Sequence, residues 1–153
     1  MKKSAYFGTY WDEGWPSLTE LETYFLGPSG KEWFSIGGND SASLSITEAI
    51  GAAGPRDITL YLVGIPGTGV HLSYQVWTPN LGLKETFESK GDLRRVSDSA
   101  RSLDGSLVPV ALMVPFTAAW EAVREFMATD GQLPASIQWI AGKDLPADFF
   151  PDQ

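Results

Sequence analysis

Residues 58–77 constrain the fold more than any other part of this chain. Ile58-Thr59-Leu60-Tyr61-Leu62-Val63 leads into Pro66-Gly67-Thr68-Gly69, and the run Val70 to Trp77 follows. In the second run Val70, Leu72, Tyr74 and Val76 alternate with His71, Ser73, Gln75 and Trp77. Successive side chains of a strand point to opposite faces, so the alternation predicts one apolar, buried face and one mixed face. Proline and glycine between the runs supply turn chemistry. The reading is an antiparallel hairpin.

The rest of the chain adds strands and two helices. Residues 4–11 read as a first strand, rich in aromatic and small residues. Ser17-Leu18-Thr19-Glu20 has capping-box spacing, Leu18, Leu21 and Phe25 recur at helical intervals, and Gly27-Pro28 is a stop. A first helix is therefore expected over 17–26. Residues 31–36 and 43–46 read as short strands around Gly37-Gly38-Asn39-Asp40, and 51–55 as a loop. Residues 79–106 are polar and carry no pattern. Leu107 to Val114 contains Pro109, which fits an edge strand or an extended lead-in. Phe116, Ala119, Trp120, Val123, Phe126 and Met127 form one helical stripe that Asp130-Gly131 ends. Residues 137–140 read as a last strand. Strands with two separate helices and no regular βαβ alternation predict an α+β fold, an antiparallel sheet carrying two main helices. With 153 residues the expectation is one domain over 1–153, its last part, 141–153, a strap or tail.

Composition removes several chemistries. No cysteine is present, which excludes a disulfide framework, thiolate metal sites and a cysteine nucleophile. The single histidine, His71, has no partner at i, i+4 for zinc and no Gly-x-Ser-x-Gly elbow to serve. Gly64 to Gly69 lacks the spacing and the lysine of a phosphate loop. The carboxylate pairs Asp12-Glu13 and Glu121/Glu125 read as solvated surface, with Arg124 offsetting the second. No catalytic residue, metal or cofactor is expected. The two lysines near the start precede no apolar stretch of signal-peptide type, and no run approaches about 18 apolar residues, so the cytoplasm is the expected location.

The net charge is −8, a field that repels nucleic acid and speeds encounter with a basic surface. Arg94-Arg95 and Arg101 make too small a basic island to oppose it. Six tryptophans, five tyrosines and eight phenylalanines are the unusual feature. Trp120, Phe126 and Trp139 read as core, whereas Trp11, Trp15 and Trp77 lie near turns or on the mixed strand face. Exposed tryptophan and tyrosine are typical anchors of protein interfaces. The expected partner contacts are Asp12, Glu13, Trp15, Trp77, Asp144 and Asp148.

Pro109-Val110 and Pro115-Phe116 lead into Ala118-Ala119-Trp120-Glu121-Ala122-Val123-Arg124-Glu125-Phe126, then Asp130-Gly131-Gln132-Leu133-Pro134 and Ser136-Ile137-Gln138-Trp139. This order resembles the first-numbered family of immunity proteins from bacterial polymorphic toxin systems. Trp33-Phe34-Ser35-Ile36-Gly37 with Leu44-Ser45-Ile46 is similar to that family's early hairpin. The resemblance implies a stoichiometric inhibitor that binds and occludes a cognate toxin domain, often a nucleic-acid deaminase, and brings no catalytic residues. Two other classes stand beside it. One is a small ligand-binding domain or carboxylate-dependent enzyme with a pocket around His71 and Tyr74. The other is a general acidic interaction module.

Overall fold

A computed structural model describes residues 1–7, 10–27, 33, 41–50, 54–95, 97–102 and 107–146, with backbone alone at 10–13 and 50. The alternation over 58–77 becomes the centre of the sheet. Strands β4 (Gly54–Ile65) and β5 (Gly69–Thr78) pair antiparallel, from Asp57 opposite Trp77 to Ile65 opposite Gly69. Ile58, Leu60, Leu62, Val70 and Leu72 are no more than 3% exposed, and Tyr74 is 6% exposed, so one face of both strands is core.

Strand β3 (Ser41–Ile50) pairs with β4 along its whole length. Of the loop expected over 51–55, Gly54 and Pro55 belong to β4 instead, Gly54 opposite Ile50, and 51–53 lie outside the described residues. Pro55 is tolerated at the second residue, where a missing N–H disrupts little of the ladder. On the far side of β3 lie β1 (Lys2–Phe7) and β2 (Tyr10–Glu13), with Phe7 opposite Tyr10. The segment expected as a single strand over 4–11 is thus divided between two antiparallel strands. Its aromatic run continues through both arms, so polarity gives no sign of the reversal. Of the strand expected over 31–36 only Trp33 lies among the described residues, and it sits in a turn.

The other edge is built by β6 (Leu83–Ser89), which pairs with β5 in the stretch where no pattern is legible. Strand β10 (Trp139–Ala141) pairs with the end of β6. The strand read over 107–114 is interrupted. Strand β8 (Leu107–Pro109) pairs with β7 (Ser99–Arg101) in a separate ladder, a single 3-10 turn follows over 110–112, and β9 (Met113–Val114) then joins β5. Among the described residues the main sheet runs β10-β6-β5-β4-β3-β1-β2 with β9 beside β5, all antiparallel. Ser89 locks this junction: its hydroxyl accepts the Leu72 N–H at 2.9 Å and donates to the Leu112 carbonyl at 2.6 Å.

Both helices lie on the apolar face. Helix α1 (Leu18–Phe25) starts at the capping box expected from its sequence, with the Glu20 N–H donating to Ser17 Oγ at 3.2 Å. Helix α2 (Phe116–Ala128) buries Ala119, Trp120, Ala122, Val123 and Phe126. Its end turns through Asp130 at φ 52° and Gly131 at φ 97°, and aspartate is one of the few side chains that tolerate such a φ. Phe25 stacks on Trp120 at 5.4 Å and meets Trp33 edge-on at 5.7 Å. Gly64 lets the indole of Trp33 lie against β4, since a Cβ there would come within 2.5 Å of the ring.

Glu125 does more than face solvent. Arg124 pairs with Glu121 at 3.2 Å, while the Glu125 carboxylate accepts the N–H groups of Ala135 at 2.8 Å and Ser136 at 3.1 Å. The hydrogen bond from Ala135 is the main reason its pKa lies below the ordinary glutamate value. A depressed folded pKa means that the contribution is present at neutral pH and is lost as pH falls through that lowered value. In an NMR titration the Ala135 and Ser136 amide protons are expected to move together with Glu125, with a midpoint below the usual glutamate range. Glu125→Gln should abolish the shared transition. A midpoint at the ordinary value would contradict the assignment.

Candidate functional site

Both α-helices lie on one side, and among the described residues the opposite face of the sheet shows mainly its own side chains. These are the alternate positions of the same strands: Ser45 and Thr47 on β3, Asp57, Thr59 and Tyr61 on β4, Gln75 and Trp77 on β5, and Lys84 on β6. They line an open concavity of about 580 Å³. Hydroxyl-bearing, β-branched and aromatic residues keep high strand propensity without needing burial on both sides, which is how a sheet can leave one face wet. Tyr61 is 46% exposed and Trp77 40% exposed, large apolar areas that the core does not use.

The floor is ordered by short cross-strand bonds. Ser45 and Thr59 share a hydroxyl contact at 3.1 Å, and Thr47 Oγ1 donates to Asp57 Oδ1 at 2.8 Å. In register, Asp57 stands opposite Trp77, and Trp77 opposite Lys84. Trp77 thus stands between Asp57 and Lys84 in strand order. Asp57 has no ionic partner among the described residues.

Further along the same face Glu88 is 8% exposed and takes two partners, His71 Nε2 at 2.7 Å and the Ser73 hydroxyl at 3.1 Å. The carboxylate stands between serine and histidine. Ser73 donates to Glu88 instead of His71, so this trio does not present a hydroxyl to a base as a nucleophilic triad requires. It closes a buried polar cluster at the β5–β6 seam. A pocket shared by His71 and Tyr74 does not form, because strand alternation sends them to opposite faces. Tyr74 is in the core, where burial raises its pKa and its hydroxyl donates to the Gly131 carbonyl at 2.6 Å. Among the described residues no group of three His, Asp or Glu side chains is placed to hold a metal ion.

The expected contact residues separate. Trp77 is exposed on the concave face. Trp15 is half-buried on the other side, its ring 5.5 Å from that of Phe126, its Nε1 donating to the Ser45 carbonyl at 2.9 Å and Lys3 Nζ 4.4 Å from its centroid. Proximity to a turn suggested exposure, but the turn folds the indole inward. Asp144 is exposed on the turn 142–144, which packs beside β6 with Gly142 against Thr86. Asp12 and Glu13 are in β2, Glu13 opposite Ser4 and Asp12 opposite Ala5, and their side chains lie outside the description. Asp148, with the rest of the segment from 147 onward, lies outside the described residues. In the basic island Arg94 pairs with Asp92 and Arg95 with Asp98, each at 2.9 Å. Sequence reasoning missed Asp57, Thr59 and Tyr61 as site residues. The signal was present in their register with the mixed face of β5.

Residues 48–141, well over half of the chain, fit the model of a family described as Immunity protein Imm1. Asp57, Thr59, Tyr61, Gln75, Trp77 and Lys84 fall within that span, as does the stretch 79–106, while the segment 31–46, expected from the sequence as a hairpin, lies before it. No curated protein and no solved structure matches the chain.

Proposed function

Because the chain belongs to the Imm1 family of immunity proteins, we propose that it binds a cognate bacterial toxin domain and blocks its active site through the face of the sheet opposite α1 and α2. The observation that carries the choice of surface is the composition of that face. Tyrosine and tryptophan give large contact area at small conformational cost, and short hydroxyls and an amide adapt their hydrogen bonds to a protein partner, the same economy found in binding loops of antibodies. A tight complex needs an interface of roughly 1,600 Å², with a few aromatic anchors at its centre. Trp77 and Tyr61 are the anchors, and Asp144 stands on the neighbouring turn as a rim contact.

The target is a nucleic-acid-acting toxin, a deaminase in the closest reading. Such enzymes hold their substrate in a basic groove, and a chain of net charge −8 is drawn to that groove and covers it. Among the described residues no helix is long and apolar enough to cross a membrane. A toxin of that kind works where the nucleic acid is, so the inhibitor acts in the cytoplasm. It does so by occupancy, without turnover and without a cofactor.

Co-expression with the toxin domain encoded beside this gene should restore growth, and the two proteins should co-purify as a stoichiometric complex. Growth arrest that persists while this chain is soluble and in excess would refute the reading.

A further inference from the structure

We infer that Asp57 and Trp77 form a seat for one arginine side chain of the toxin, an inference that rests on the function proposed above. Asp57 is a half-buried carboxylate on the floor of the concavity with one hydrogen bond, from Thr47, and no ionic partner among the described residues. Lys84, a cation lining the same concavity, is exposed and forms no ion pair with Asp57. A carboxylate left unneutralised in a concave, partly desolvated site attracts a cation more strongly than one on an open surface.

The surroundings select guanidinium over ammonium. Arginine is planar, stacks on an aromatic face and directs several N–H donors at once, and it is less strongly hydrated than lysine. The site offers a flat indole, a carboxylate with a free oxygen, and the side-chain oxygens of Thr59 and Gln75 as further acceptors. A lysine ammonium could donate to the same acceptors but has no planar face to lay against the indole. The overall charge of −8 brings a basic partner close, and this seat fixes where one of its side chains docks.

The test is calorimetric binding of the catalytically inactivated toxin domain to the full chain and to Asp57→Asn. Asparagine keeps the acceptor that Thr47 uses, so the melting temperature should not change. Affinity should fall by about 30-fold or more, the effect of removing one member of a desolvated charge pair. Asp144→Asn, at the rim, should change it by no more than about 5-fold. In cycles with single arginine-to-methionine variants of the toxin, one arginine should be strongly non-additive with Asp57→Asn. Wild-type affinity in Asp57→Asn, or additivity with every toxin arginine, would overturn the seat while leaving the immunity reading in place. Failure of the unaltered chain to bind the toxin domain would instead remove the function on which the seat depends.

Discussion

Phe126→Ala is expected to lower the free energy of unfolding by about 3–5 kcal/mol, the range for removing a fully buried aromatic ring. Phe126 is 0% exposed on the inner stripe of α2. Its ring lies 5.5 Å from Trp15 and 6.2 Å from Tyr74, the latter edge-on. These contacts join the helix to the turn before α1 and to the middle of β5, so three parts of the chain lose packing together. The backbone cannot close the space easily, since Gly131 N–H is bound to the Phe126 carbonyl at 2.9 Å and fixes the end of the helix. For a domain whose total stability is roughly 5–15 kcal/mol, that loss removes a large share of the margin. Urea unfolding should show a lower midpoint with an unchanged slope. A loss under about 1.5 kcal/mol would mean that the ring is not packed as placed here.

Phe126 also shows which parts of this fold are legible in the residues. A helical stripe of large apolar side chains and a period-two strand pattern are signals from burial on one side, and both α2 and the β4–β5 hairpin follow them. Strand β6 has no such signal. Of Leu83 to Ser89 only Glu88 and Ser89 are buried, one in a polar cluster with His71 and Ser73, the other in hydrogen bonds to Leu72 and Leu112. Its place in the sheet comes from the free edge of β5 and from side-chain bonds between residues more than ten positions apart, which no local window contains. The direction of Trp15 was not legible for a related reason. Its position after Gly14 is a turn position, but whether a turn residue points out or in depends on the groove between β1 and α2, a tertiary feature. Asp57 and Tyr61 were readable only as strand residues. Their shared face with Trp77 becomes visible once the β4–β5 register is known, and with it the site.

Gln75→Arg is expected to abolish neutralisation while leaving the protein folded. Gln75 lies half-buried at the centre of the concave face, opposite Thr59 on β4 and Thr86 on β6, and its amide donates to Ser73 at 3.3 Å. Arginine has a long flexible stem that can rise from this position into solvent, so the stability cost should be within about 0.5 kcal/mol, as for most surface substitutions. The effect on binding is of another order. The new side chain occupies the concavity, adds a positive charge facing a basic partner, and can itself pair with Asp57. Affinity should fall by about 100-fold or more, close to 2.7 kcal/mol. The control is Thr117→Arg, the same change of charge on the exposed side of α2. It should protect cells as the unaltered chain does. If both variants lose protection equally, bulk charge governs the interaction and the sheet face has no special part in it. If Gln75→Arg protects fully, the toxin docks elsewhere on the molecule.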